Sequence, residues 1–83
     1  MKYDLFIRVA LSDDLPAHQL KRGDVATIVE FHPGRSGQEP GYTLEVFNAL
    51  GRTVDVVTVR ESQIELLTAD ELLSVRPMAA TAR

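Results

Sequence analysis

The chain has 83 residues, 45% of them hydrophobic and 25% charged, which sets the scale of a single domain that buries roughly 60–65% of the surface its unfolded chain exposes. It contains no cysteine, so disulfides and thiolate metal sites are excluded, and a reducing, cytoplasmic setting is expected for so small an unstapled domain. A formal net charge of −3 works against a surface that tracks phosphates, because non-specific nucleic-acid affinity comes mainly from Lys and Arg displacing counterions.

The first predicted strand, Tyr3 to Leu11, mixes Phe6, Ile7, Val9 and Leu11 with polar residues. Its most apolar part, Leu5 to Leu11, is interrupted by Arg8 and preceded by Asp4. That run is too short and too charged for a signal peptide or a membrane span, so no membrane association is expected. Ser12-Asp13-Asp14 supplies short side chains that bond their own backbone. Pro16, with its fixed φ, suits a turn or a single helical turn in the loop up to Leu20.

Gly23 is expected to reverse the chain through positive φ, with Asp24 capping that turn, before a second strand from Val25 to Phe31. In that strand Val25, Val29 and Phe31 share one parity while Ala26 and Ile28 share the other. A flat ribbon with one apolar face cannot bury all five, and a bulge or sharp bend can. His32 to Gly41, with three glycines and two prolines, is a loop.

Tyr42 to Phe47 and Thr53 to Val59 are the third and fourth strands, joined by a hairpin at Asn48-Ala49-Leu50-Gly51-Arg52 in which Gly51 takes the left-handed position. Arg60 to Gln63 is a polar link with room for one 3₁₀ turn, and Ile64-Glu65-Leu66 returns as a fifth strand. Five such strands around one core predict a small closed barrel over residues 1–67, all in one domain. Thr68 and Glu71, three apart, form a capping-box pattern that predicts a short C-terminal helix in residues 68–76, from about Ala69 to Val75 and ending before Pro77. Residues 77–83 are expected to form a flexible tail.

Leu20-Lys21-Arg22-Gly23-Asp24-Val25, then Thr27, Val29 and Glu30, then Tyr42, Glu45 and Phe47, then Gly51-Arg52-Thr53, resemble the domain-of-unknown-function family numbered 4926, a small bacterial family. The likeness runs from about Asp4 to Leu67. It implies an SH3-like barrel of uncharacterised role and carries no catalytic or binding residues to transfer. Ala26 stands where such strands often have glycine, and Leu50 where the hairpin often has a polar residue, which puts local bulge and turn geometry in question.

No constellation of residues carries chemistry. Arg22-Gly23-Asp24 spells an adhesion tripeptide, but at the start of a strand it is a turn. His18 and His32 lack ligand spacing and a third partner, so no metal is expected. Asp13-Asp14, with Asp4 and Asp24 elsewhere, make turn caps. Ser12, Ser36, Ser62 and Ser74 lack a nucleophile elbow and a base. No catalytic residue, cofactor or small-molecule substrate is therefore predicted, and the chain is not expected to be an enzyme. A groove for proline-rich peptides is not expected either: there is no tryptophan, and most of the five aromatics, Tyr3, Phe6, Phe31, Tyr42 and Phe47, fall on strands whose core would claim them.

The expected function is binding to another protein, through self-association or as an accessory or antitoxin-like partner of a neighbouring gene product. The candidate interface is Leu66, Leu67, Leu72, Leu73 and Val75, which place more apolar surface on a short segment than a small core absorbs, unless Leu72 and Leu73 plug the barrel's open end. The alternative is an RNA- or DNA-contacting barrel using Lys21, Arg22, Arg52 and Arg60.

Overall fold

The computed structural model describes residues 1–78. Five strands, β1 (Arg8–Leu11), β2 (Val25–His32), β3 (Gly41–Phe47), β4 (Thr53–Arg60) and β5 (Ile64–Leu66), form one antiparallel sheet in the order β4-β3-β2-β1-β5. Two 3₁₀ turns, Pro16–His18 and Glu61–Gln63, fall in the two links where one turn each is expected. The sheet curls but does not close: its outer strands β4 and β5 do not pair with each other, so the barrel predicted from the sequence is an open sheet.

β1 is less than half the predicted length. Phe6 takes φ +67°, a left-handed conformation that few non-glycine residues adopt, and this breaks the strand ahead of Arg8. The chain still holds to β2 there, through Phe6 N–H to the Ile28 carbonyl (2.6 Å) and Ile28 N–H to the Ile7 carbonyl (2.9 Å).

β2 explains its own two-faced pattern. It pairs in regular register with β3 through Ile28↔Leu44, then shifts so that Glu30 pairs with Thr43 and Phe31 with Tyr42, leaving Val29 as the extra residue. Ahead of the bulge Ala26 and Ile28 point into the core; beyond it Phe31 does. Ala26 is buried opposite Val9, away from the bulge, so the departure at this position costs no local geometry.

The turn before β2 is built as its residues predict. Gly23 sits at φ +92°, Asp24 Oδ2 accepts the Lys21 N–H at 2.7 Å, and Asp14 Oδ1 accepts the Arg22 N–H at 2.8 Å. The β3–β4 hairpin closes on Gly51 at φ +82°, with Asn48 Oδ1 accepting both the Leu50 and the Arg52 N–H at 3.0 Å. Leu50 lies at the exposed tip, where its side chain has no structural part.

The core lies on one face of the sheet. Val9, Leu11, Ile28, Tyr42 and Leu44 are its fully buried side chains, with Val46, Val57, Val59 and Ile64 around them. Tyr42 is its hub: the ring packs edge-on against Tyr3 (centroids 5.6 Å apart) and tilted against Phe31 (5.2 Å). Its hydroxyl accepts the N–H groups of Lys2 (3.2 Å) and Tyr3 (3.1 Å) and donates to Glu61 Oε2 (2.9 Å). One side chain thus ties the N-terminus to the turn before β5. Of the other aromatics, Phe6 and Phe47 are exposed rather than claimed by the core.

The predicted C-terminal helix is absent. The capping contacts form, Thr68 N–H to Glu71 Oε1 at 2.6 Å and Glu71 N–H to the Thr68 carbonyl at 3.1 Å, but residues 71–77 continue without helix. About seven residues ahead of a proline are too few to repay helix nucleation unless one face is packed, and Leu72, Leu73 and Val75 stay exposed. Of the predicted flexible tail, residues 79–83 lie outside the described residues.

Candidate functional site

Beyond β5 the chain doubles back, and this return path decides where the candidate residues lie. Leu66, the last residue of β5, is 53% exposed, and Leu67 is half-buried. Leu72, Leu73 and Val75 are 94%, 60% and 93% exposed, so they do not plug the end of the sheet. The segment then reaches the turn ahead of β2, where Arg76 grips Asp24. Arg76 Nε donates to Asp24 Oδ1 at 3.0 Å, one terminal guanidinium nitrogen donates to Asp24 Oδ2, and the same nitrogen donates to the Gln19 carbonyl at 3.2 Å. Arg76 is held more firmly protonated than a free arginine, first by its hydrogen bond to Asp24.

Between this arm and the sheet lies a cleft of about 520 Å³. Its floor comes from the start of β2 (Val25, Ala26, Thr27), its far wall from the end of β3 and the hairpin (Val46, Phe47, Ala49), and its near wall from Leu73, Val75 and Met78. The lining is mainly apolar, with the Asp24–Arg76 pair at one end. Val54 lines the cleft too, and Val56 is exposed on the same outward face of β4, where the parity is opposite to that of the buried Val57 and Val59.

The four basic residues do not converge. Lys21 and Arg22 sit in the turn before β2, and Arg52 lies in the hairpin. Arg60 ends β4, roughly 25 Å further along at about 3.3 Å per residue, with its Nε 3.6 Å from Glu39 Oε1. The histidines are also apart. His18 Nδ1 is 3.0 Å from Asp55 Oδ2 on β4, and His32 Nε2 is 2.6 Å from Thr43 Oγ1. Among the described residues no group of three or more His, Asp or Glu side chains is placed to hold a metal ion, and no helix is long and apolar enough to cross a membrane.

A family model described as "Domain of unknown function (DUF4926)" matches residues 5–66. The chain belongs to that family. The DUF4926 match ends on the last residue of β5, so the arm from Leu67 to Met78 lies beyond it. No curated protein and no solved structure matches the chain.

Sequence reasoning misses Arg76 altogether and gives Asp24 only the capping role. The two are 52 positions apart, and no local pattern links a turn aspartate to an arginine beside a proline. Phe47, Val54 and Val56 read only as strand residues, although strand parity alone could have marked Val54 and Val56 as outward.

Proposed function

We propose that this DUF4926 protein is a small non-enzymatic protein-binding module, an SH3-like sheet in the bacterial cytoplasm whose binding surface is the apolar arm Leu66, Leu67, Leu72, Leu73 and Val75 together with the cleft beside it. One observation carries the reading: Leu66, Leu72, Leu73 and Val75 expose large aliphatic side chains within ten residues, and Leu73 and Val75 line one cleft together with exposed Phe47 and Val54. A small soluble domain rarely leaves so much contiguous apolar surface to water unless a partner covers it. The partner class is protein: an apolar strip with one ion pair at its end suits another polypeptide, either a second copy or the product of a neighbouring gene in an accessory or antitoxin-like pairing. Phosphate tracking would need the basic residues gathered on one face.

Size-exclusion chromatography with light scattering tests this. The wild-type chain should associate beyond a monomer as concentration rises, and Leu73→Asp should return it to the monomer mass with its fold intact by circular dichroism. A strict monomer whose mass and stability are both unchanged by Leu73→Asp would overturn the reading.

A further inference from the structure

The residues around Asp24 form a receptor for one guanidinium group. Asp24 offers both carboxylate oxygens, and Oδ2 is held in place by the Lys21 N–H at 2.7 Å. Gln19, in the left-handed conformation at φ +57°, turns its carbonyl toward the same point and accepts from Arg76 at 3.2 Å. Three acceptors, two from the Asp24 carboxylate and one from the Gln19 carbonyl, match the fork of an arginine, which a point-charge lysine does not fill. The pair is largely withdrawn from solvent, with side-chain exposures of 29% for Arg76 and 22% for Asp24. Beside it opens the apolar cleft, with Leu73, Val75 and Met78 forming its arm side. Receptor and cleft together recognise an extended segment carrying aliphatic residues just ahead of an arginine.

The chain's own arm satisfies that description and is held weakly. Among the described residues no backbone hydrogen bond joins residues 72–78 to the sheet, and Leu72 and Val75 remain almost fully exposed. An arm anchored by one side chain, on a connection from Leu67 that packs little, can leave its own domain and make identical contacts on another.

We propose that the Asp24–Gln19 receptor and its cleft bind the 67–78 arm of a second copy of this chain, so that two molecules exchange arms. This rests on the protein-binding reading and names its partner. Arm exchange preserves every contact seen within one chain and brings the exposed Leu72 and Val75 of each arm against a neighbour.

Charge exchange tests it. In Asp24→Arg the receptor repels its own arm, and in Arg76→Asp the arm repels its own receptor. Each variant alone should be a monomer by light scattering, and the equimolar mixture should run at twice that mass, because each arm then meets an opposite charge on the other chain. A mixture that stays monomeric while both variants are folded by circular dichroism would overturn the proposal. Since Asp24→Arg also removes the cap of the Lys21 turn, a second measurement covers misfolding of that variant. A fluorescent peptide of residues 68–78 should bind full-length Arg76→Asp about tenfold or more tighter than wild type, whose tethered arm competes at high effective concentration. The same peptide with its arginine replaced by alanine should lose that binding. Equal binding of both peptides would overturn the receptor. If Leu73→Asp changes the wild-type mass while mixture and peptide give nothing, arm exchange fails and the protein-binding reading stands. A heterodimer from the mixture, beside a Leu73→Asp variant that behaves as wild type, supports arm exchange and removes Leu73 from the binding surface.

Discussion

Tyr42→Ala should destabilise the domain by about 3–5 kcal/mol, and Tyr42→Phe by about 1–3 kcal/mol, both read from urea unfolding midpoints. An 83-residue domain holds roughly 4–12 kcal/mol in all, so the alanine variant should be close to unfolded at room temperature. The two numbers separate two contributions. Alanine removes a fully buried ring that packs against Tyr3 and Phe31 and leaves a cavity between the N-terminal segment and β3. Phenylalanine keeps the ring but strips the acceptor from the Lys2 and Tyr3 N–H groups and the donor from Glu61. The Tyr3 N–H is buried, so it loses its partner without gaining water.

The same residue predicts the alkaline limb of stability. The Tyr42 phenol is raised above its ordinary value, first by burial and further by Glu61, whose carboxylate both accepts its proton and repels its anion; the Tyr3 and Lys2 N–H groups pull the other way without reversing the shift. A group raised on folding stabilises the native state fully below the unfolded value of about 10 and loses that contribution as pH climbs through the folded value. Wild type should therefore lose stability above about pH 10 more steeply than Tyr42→Phe, which has no such proton to release. Parallel slopes for the two proteins would show that the buried phenol does not couple to folding.

Leu44→Ala is expected to cost about 2–5 kcal/mol. Leu44 is fully buried at the middle of the sheet, with Ile28 of β2 paired on one side and Val57 of β4 on the other. A cavity there has rigid strands on both flanks and little means of collapsing. Leu44→Met, which conserves volume, should cost less than about 1.5 kcal/mol. Val56→Ala, on the outward parity of β4, should stay within about 0.5 kcal/mol. Equal losses at positions 44 and 56 would mean that the inward and outward faces are wrongly assigned.

These contrasts show where local chemistry is enough to specify structure. The hairpin at Gly51, the turn at Gly23 with its Asp24 cap, and the bulge implied by the mixed parity of Val25 to Phe31 are each settled by a few adjacent residues, and each is present. Long-range balance decides the rest. The five strands are legible, but whether β4 meets β5 depends on the curl of the whole sheet, and the two stay apart. Thr68 and Glu71 carry a helix-start pattern and make its contacts, yet Leu72, Leu73 and Val75 stay exposed and stabilise no helix face. Phe6 reads as a strand residue, but its left-handed backbone cuts β1 short. At the candidate site the aliphatic residues are visible in the sequence. Their anchor is not, because Arg76 finds Asp24 only after the arm has folded back across the sheet.

In the proposed function the aliphatic arm is a surface for a partner and not a lid that completes the core. Urea unfolding of a Leu72→Asp/Val75→Asp double variant, at concentrations where both proteins are monomeric, measures this most directly. A binding surface predicts a stability within about 0.5 kcal/mol of wild type, as for substitutions at exposed positions. A loss of about 2 kcal/mol or more, the scale of damage to a packed core, would contradict it.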